Sequence, residues 1–177
     1  MVRRLHLIRH APAVVDSETE NDNWQLTARG RRETIELVDK LRHLTLSRVY
    51  SSNQRRAQDT AKIIATNLKL SLHLVDGLEE HHRTKEDFIN SDKEFEESLA
   101  VFFLAPNELV FGQETASQAL LRFSRALDWI MGAGTGDELV VSHGTVISLW
   151  LAKKLNYDPM QVWRSLVHPD LITVEWP

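Results

Sequence analysis

The chain has no cysteine. A thiol nucleophile, a thiolate-bound metal and a disulfide framework are therefore excluded, and a reducing compartment suits it. No apolar run approaches the roughly 18 residues of a membrane span. Nor does the basic start, Met1 to His6, read as a secretory leader, since His6 and Arg9 interrupt its apolar stretch. No sign of charge dominates: 21 Lys and Arg face 25 Asp and Glu, a net charge of −4. That balance gives no general attraction to polyanions, so any positive field must be local. A cytoplasmic protein with neither nucleic acid nor membrane as partner is expected. Repeats, low-complexity tracts and long linkers are also missing.

A chain of 177 residues suits a single domain over 1–177. A domain of that size buries roughly 70% of its unfolded surface and needs no staple. Short apolar runs alternate with longer amphipathic patterns. The runs are Leu5-His6-Leu7-Ile8, Val49-Tyr50, Leu72-His73-Leu74-Val75 and Leu139-Val140-Val141, with Leu171 to Trp176 as a last strand. Between them, apolar positions recur at helical spacing. Ile35, Val38, Leu41 and Leu44 follow Thr27, and Ala57, Ala61, Ile64, Ala65 and Leu68 follow Asn53. Ser91 and Glu94 have capping-box spacing ahead of Phe95, Leu99, Phe102 and Phe103, and Pro106 stops that helix. Thr115 and Gln118 repeat the spacing ahead of Ala119, Leu120, Phe123, Leu127 and Ile130. Val146 to Leu155 reads as one more helix. The pattern predicts an α/β fold, a three-layer sandwich with a mostly parallel central sheet and helices on both faces. A small helical cap, about 80–113, is expected over the C-terminal sheet edge.

Each of the first four runs is followed by a cluster of polar groups: Arg9-His10, Arg55-Arg56, Glu79-Glu80 and Ser142-His143-Gly144. Parallel strands bring all four to one sheet edge, where open α/β proteins bind ligands. The residue types suit chemistry on phosphate. A neutral imidazole such as His10 can attack phosphorus in line, and neighbouring cations favour its neutral form. An arginine in a first helical turn adds a bidentate grip to a helix end that already favours anions; Arg55 and Arg56 both qualify. A carboxylate can protonate a leaving oxygen and later deprotonate water. His143 and the Gly144 N–H can hydrogen-bond a transferring phosphoryl group. Alone, each cluster has an ordinary explanation: a solvated strand end, exposed arginines, an acidic turn, a satisfied core histidine. Their coincidence at one edge argues for a site.

Two further groups are less specific. His81, His82, Arg83, Lys85 and Phe88 could meet a second anionic group on a substrate, or form a solvated basic turn. His81 and His82 beside Glu80 invite a metal, but adjacent residues in a turn seldom converge on one ion. Gly132-Ala133-Gly134-Thr135-Gly136 precedes a strand, whereas a dinucleotide fingerprint follows one, so it reads as a turn.

The four clusters together resemble the histidine phosphatase superfamily, also called the phosphoglycerate mutase-like family, over nearly the whole chain. Leu7-Ile8-Arg9-His10 looks like its Arg-His signature, and Ser51 to Ala61 like its Ser-Ser…Arg-Ala…Thr-Ala segment. Leu78-Glu79-Glu80 is similar to its Leu-x-Glu, and Ser142-His143-Gly144 to its late Ser-His-Gly. Leu26-Thr27-Ala28-Arg29-Gly30 matches its Leu-Thr-x-x-Gly helix opening. By this resemblance His10 is the nucleophile, Arg9 and Arg56 bind phosphate, Glu80 is the proton donor and His143 is the second imidazole. Two positions depart. Ala11 stands where Gly usually follows Arg-His. Asp16 stands where an Asn often contacts phosphate, and its charge leaves it out of the binding set.

The resemblance implies an acid-type phosphatase that uses no metal or cofactor and hydrolyses phosphomonoesters through a phosphohistidine. Its catalytic set is His10, Glu80, Arg9, Arg56 and His143. Gly144, His82 and Arg83 join Arg9, Arg56 and His143 as substrate-binding candidates. The expected partner is a small phosphorylated metabolite, and a homodimer is left open. The alternatives are a phosphoglycerate mutase-type phosphotransferase, a protein phosphohistidine phosphatase and a non-catalytic phosphate-binding module. Family mutases generally carry a longer cap and tail, which favours hydrolysis.

Overall fold

The computed structural model describes residues 2–176, apart from the side chain of Lys85. Five strands are described: β1 Arg3–Arg9, β2 Leu46–Ser51, β3 Ser71–Leu74, β4 Asp137–Ser142 and β5 Asp170–Trp176. They form one sheet in the order β3-β2-β4-β1-β5. The first four are parallel, and β5 pairs antiparallel with β1. In register, Arg9 lies beside Ser142 and Ser51 beside Val141, so β1, β2 and β4 end almost level.

Among the described residues six α-helices surround the sheet: α1 Ala28–Leu41, α2 Arg55–Leu68, α3 Asp92–Leu104, α4 Ala116–Gly132, α5 Gly144–Leu155 and α6 Pro159–Ser165. Strand side chains alternate between faces. Leu5, Leu7, Tyr50 and Val140 enter one core with Leu99, Phe102, Phe123, Leu127 and Ile147 from α3, α4 and α5. Ile8, Val49, Leu139 and Val141 enter the other with Leu37, Val38, Leu41, Ala61 and Ile64 from α1 and α2. The two cores make the predicted three layers. Leu5, Leu7 and Ile8 are fully buried, and each such side chain contributes about 1.5–3 kcal/mol.

The α1 stripe differs from the expected one. Ile35 is 53% exposed, and the buried positions are Thr34, Leu37, Val38 and Leu41. A strict three-residue step drifts around a helix, whereas i, i+3, i+4, i+7 keeps to one face. The capping expectations hold: Ser91 accepts from the Glu94 N–H, and Thr115 with Gln118 completes a reciprocal box. Thr27 caps α1 by accepting from the Gly30 N–H. Gly30 is there for space, because a Cβ would fall 2.3 Å from the Pro12 carbonyl oxygen. In this way the opening of α1 packs directly on the loop that follows His10. The 80–113 segment holds α3, but its Leu99, Phe102 and Phe103 belong to the larger core, so the cap is anchored to the body. No described helix is long and apolar enough to cross a membrane.

Candidate active site

His10 follows the last residue of β1, and its backbone N–H donates to Ser142 O of β4 at 2.9 Å. Its Nδ1 lies 2.8 Å from Ala11 O. A carbonyl only accepts, so Nδ1 carries the proton and Nε2 of the neutral ring keeps its lone pair. Arg56 Nε donates to that Nε2 at 3.1 Å. Burial above all, then Arg56 and His168, hold the His10 pKa well below its ordinary value. The ring is therefore neutral near pH 7, the form a nucleophile requires.

Arg56 sits in the first turn of α2 and is 3% exposed. Besides His10 it donates to Asn21 O at 2.5 Å and to Gln54 Oε1 at 2.8 Å, and its guanidinium lies 5.6 Å from the Trp24 ring centre. Burial pushes its pKa down to about 10, still charged at neutral pH. Arg55 instead faces outward and pairs with Asp59 at 3.2 Å. The choice between the two arginines, open on spacing alone, falls on Arg56.

His143 caps α5, fully buried, with its ring centre 5.1 Å from that of His10. Its Nε2 lies 2.8 Å from Ser52 Oγ, and its Nδ1 has no partner. Burial first, then Arg56 and His10, keep its pKa well below the usual value. Arg9 donates to Leu166 O at 2.8 Å, lies 5.8 Å from the Trp163 ring centre, and has a buried Nε without an acceptor. Gly144 makes room for it: a Cβ there would stand 2.9 Å from Arg9 Cζ and Nε. The glycine was expected to let the backbone approach an anion, and the structure shows it admitting the guanidinium.

Glu80 is 7% exposed, and its carboxylate accepts from the His81 N–H at 2.9 Å and the Thr145 N–H at 3.1 Å. Burial raises its pKa, but Arg83, these two amides and Arg56 outweigh that, and the net direction is down. Glu80 is thus a carboxylate near neutral pH. Arg122 of α4 fixes its loop by donating to the carbonyls of Gly77, Glu79 and Glu80.

Arg9, His10, Arg56, Glu80 and Arg83 line one cavity of about 760 Å³, closed on other sides by Phe88, Phe95 and Trp163. His143 lies behind His10, outside that lining. His82 does not join it either: its side chain is 46% exposed and turns toward Glu114. The peptide alternates direction there, since His81 is buried against Phe102 and Phe111 while Arg83 returns to the cavity. The Lys85 side chain lies outside the described residues. Asp16 also points away, its Oδ1 accepting from the Glu18 N–H at 2.9 Å. Among the described residues no three His, Asp or Glu side chains form a metal-ligating group. Ala11 keeps its N–H on Thr60 Oγ1 at 3.1 Å and its carbonyl on His10, so the methyl disturbs neither contact.

Sequence reasoning missed two contributors. The short helix α6 brings Trp163 to the cavity and Leu166 to Arg9; its signal was Asp158-Pro159, an N-cap followed by proline at the first helical position. The His168 ring centre lies 5.0 Å from that of His10, the rings tilted by 54°, and its Nδ1 lies 2.9 Å from His10 O. It arrives through the antiparallel pairing of Arg9 with Asp170, which no local pattern announces.

A family model described as histidine phosphatase superfamily (branch 1) matches residues 5–174. The chain belongs to the histidine phosphatase superfamily. No curated protein matches it in sequence. Solved structures of this superfamily member's fold include mycobacterial glucosyl-3-phosphoglycerate phosphatase, 18% identical with a TM-score of 0.74 over 98% of this chain and 90% of that one. Bacillus stearothermophilus YhfR is 21% identical with a TM-score of 0.78, over 98% and 91%. Entamoeba histolytica phosphoserine phosphatase, solved with 3-phosphoglyceric acid, is 22% identical with a TM-score of 0.70, over 97% and 89%. At these identities the likeness establishes the shared fold.

Proposed function

We propose that the protein hydrolyses phosphomonoesters of small metabolites through a phosphohistidine on His10. The observation that carries this reading is the His10 Nδ1 contact with Ala11 O, which assigns the proton to Nδ1 and the lone pair to Nε2, where it accepts from Arg56 until that guanidinium turns to the phosphate. His10 Nε2 attacks phosphorus, the ester P–O bond breaks, and the departing alkoxide takes a proton from Glu80. Water then attacks the phosphorus of phosphohistidine, the P–N bond breaks, Glu80 takes the water proton and inorganic phosphate leaves. Arg9 and Arg56 offset the charge on the transferring group, and the neutral His143 ring backs His10 from behind.

Glu80 must be protonated to act first as an acid. A phosphate dianion beside Arg56 opposes the cations that depress the carboxyl and so raises its pKa on binding. The spontaneous reaction needs acceleration of up to about 10²¹-fold, and each pre-aimed donor typically supplies about 10²–10³. Guanidinium groups fill the electrostatic role that metal ions take elsewhere. A cavity near 760 Å³ suits a metabolite, within the roughly 300–1,000 Å³ usual for small ligands. The superfamily neighbour crystallised with 3-phosphoglyceric acid supports a ligand of that size.

The test is turnover of an aryl phosphate with and without chelator, followed by acid-quench labelling. Chelator-resistant hydrolysis and an acid-labile phosphoenzyme absent from His10→Ala are expected. Activity lost on chelation, or a label that survives in His10→Ala, would contradict the proposal.

A further inference from the structure

The cavity continues past the phosphate end toward α3, and Arg83 stands on that wall with Phe88, Phe95 and Asp92. The guanidinium carbon lies 4.7 Å from the Phe95 ring centre and 5.9 Å from that of Phe111. Among the described residues Arg83 makes no hydrogen bond or ion pair, and its Nε is buried without an acceptor. Every other guanidinium of the lining has a protein acceptor: Arg9 reaches Leu166 O, Arg56 reaches Asn21 O and Gln54 Oε1, and Arg29 pairs with Glu33 at 3.3 Å. Glu80 and Asp87 act on it through space, but neither hydrogen-bonds it, and Asp87 is held by Thr84 and Gln113. Glu96 is engaged by Arg164 at 2.6 Å, and Glu80 is held by two backbone amides. A guanidinium offers five donors and no acceptor; here Nε is unmet out of water, which is costly, and the terminal nitrogens have no partner among the described residues. Stacking on an aromatic face fixes its plane and leaves its edge free for a bidentate partner.

We propose that Arg83 binds a second anionic group of the substrate, so that the preferred esters carry a carboxylate or second phosphate besides the phosphate that reacts. This rests on the phosphomonoesterase reading and narrows its substrate class. Arg9 and Arg56 sit at the reacting end beside His10, which leaves Arg83 as the cation surplus to a single phosphate. A planar anion meets its fork in two parallel hydrogen bonds. An ester without the second anion would leave the fork unmatched, and sites built around a polar partner discriminate strongly against analogues that lack it. Binding there also couples recognition to chemistry. Arg83 is the cation that most depresses the Glu80 carboxyl, and an anion seated on it offsets that charge.

The test uses full-length His10→Ala protein, which keeps esters intact while they bind. Calorimetry compares 3-phosphoglycerate with glycerol 3-phosphate, and propane-1,3-diol bisphosphate with propyl phosphate. In each pair one member lacks the second anion. The better matched doubly anionic ester is expected to bind about 10- to 100-fold tighter than its partner. In His10→Ala/Arg83→Met, whose thioether still covers Phe95, that preference should shrink to within about threefold. Arg83→Gln gives the same readout should the Met variant not fold. The pair with the larger ratio names the anion. A ratio near one in both pairs, or one that survives loss of the guanidinium, overturns the proposal. Aryl phosphate turnover by the unaltered protein is scored separately: its absence ends the hydrolase reading and leaves the binding ratios to judge Arg83.

Discussion

The floor and the roof of the cleft are built on different principles. The floor comes from strand ends and helix starts: His10, Arg56 and His143 are nearly or fully buried, and His10 and Arg56 are tied to backbone or side-chain acceptors. The roof comes from the 80–113 segment and α6, and it is held by ring contacts: Arg83 lies over Phe95, Phe95 meets Trp163 at a tilt, and Phe88 meets Trp24 edge-on. Hydrogen bonds fix positions to fractions of an ångström, whereas ring contacts tolerate sliding. A floor held this way suits the group common to every substrate, and a roof of rings with one unpaired guanidinium suits the part that differs.

The largest effects should therefore lie in the floor. His10→Ala should lower kcat on an aryl phosphate by about 10⁴-fold or more, as loss of a nucleophile does elsewhere. Arg56→Ala should cost about 10²–10³-fold, the scale of one electrostatic donor. Arg55→Ala should stay within about threefold, since Arg55 is half exposed and pairs with Asp59 at the surface. Equal losses at 55 and 56 would show the wrong arginine in the pocket. A Phe88→Ala loss as large as Arg56→Ala on the same aryl ester would erase the distinction between floor and roof.

The same division explains what could be read in advance. The floor was legible because each member directly follows a short apolar run or opens a helix, so local pattern and parallel pairing converge. Glu80 was legible by motif, although five residues separate it from the end of β3. The roof was not. Whether His82 or Arg83 faces inward depends on how the loop after Glu80 packs on Phe102 and Phe111, a tertiary matter with no sequence period. His168 and Trp163 reach the site only because β5 returns antiparallel beside β1, and pairing order at a sheet edge leaves no mark in either strand. The sign of the Glu80 shift was also hidden, because it turns on the Thr145 and His81 amides as well as the arginines.

Acid should then expose floor and roof together. Burial lowers the pKa of His10 and His143 in the floor and pushes His81 and His168 down to about 4. Below pH 6.5 the unfolded chain protonates these rings while the folded chain does not. The unfolded state thus binds more protons, and stability falls as pH drops from 6.5 toward 4. Each ring adds a slope of about 1.4 kcal/mol per pH unit within that window. Urea midpoints measured from pH 8 to 4.5 should decline steeply through this range, before the ordinary carboxylate region. His168→Gln should remove about one proton from the uptake. A midpoint level down to pH 5 would mean that these imidazoles accept protons in the native state.

A smaller effect on turnover than that of the Arg56 change is predicted where floor meets roof. Arg122 donates to Gly77 O at 3.0 Å, Glu79 O at 2.9 Å and Glu80 O at 3.3 Å, and to Glu114 Oε1 at 2.6 Å. Glu114 in turn accepts from the His82 N–H at 3.0 Å. One guanidinium therefore joins α4, the turn that carries Glu80 and the start of the cap. Arg122→Met strips donors from largely buried acceptors and should cost about 1–3 kcal/mol of stability. Its effect on turnover should be smaller than that of Arg56→Ala, because the Thr145 and His81 amides still hold the Glu80 carboxylate. The residual loss should fall more on alkyl than on aryl phosphates, since only a poor leaving group needs a well-placed acid. Urea unfolding together with the alkyl-to-aryl kcat ratio separates the two contributions. A uniform drop on both esters would assign Arg122 to the fold alone and leave the position of Glu80 to the α5 amide.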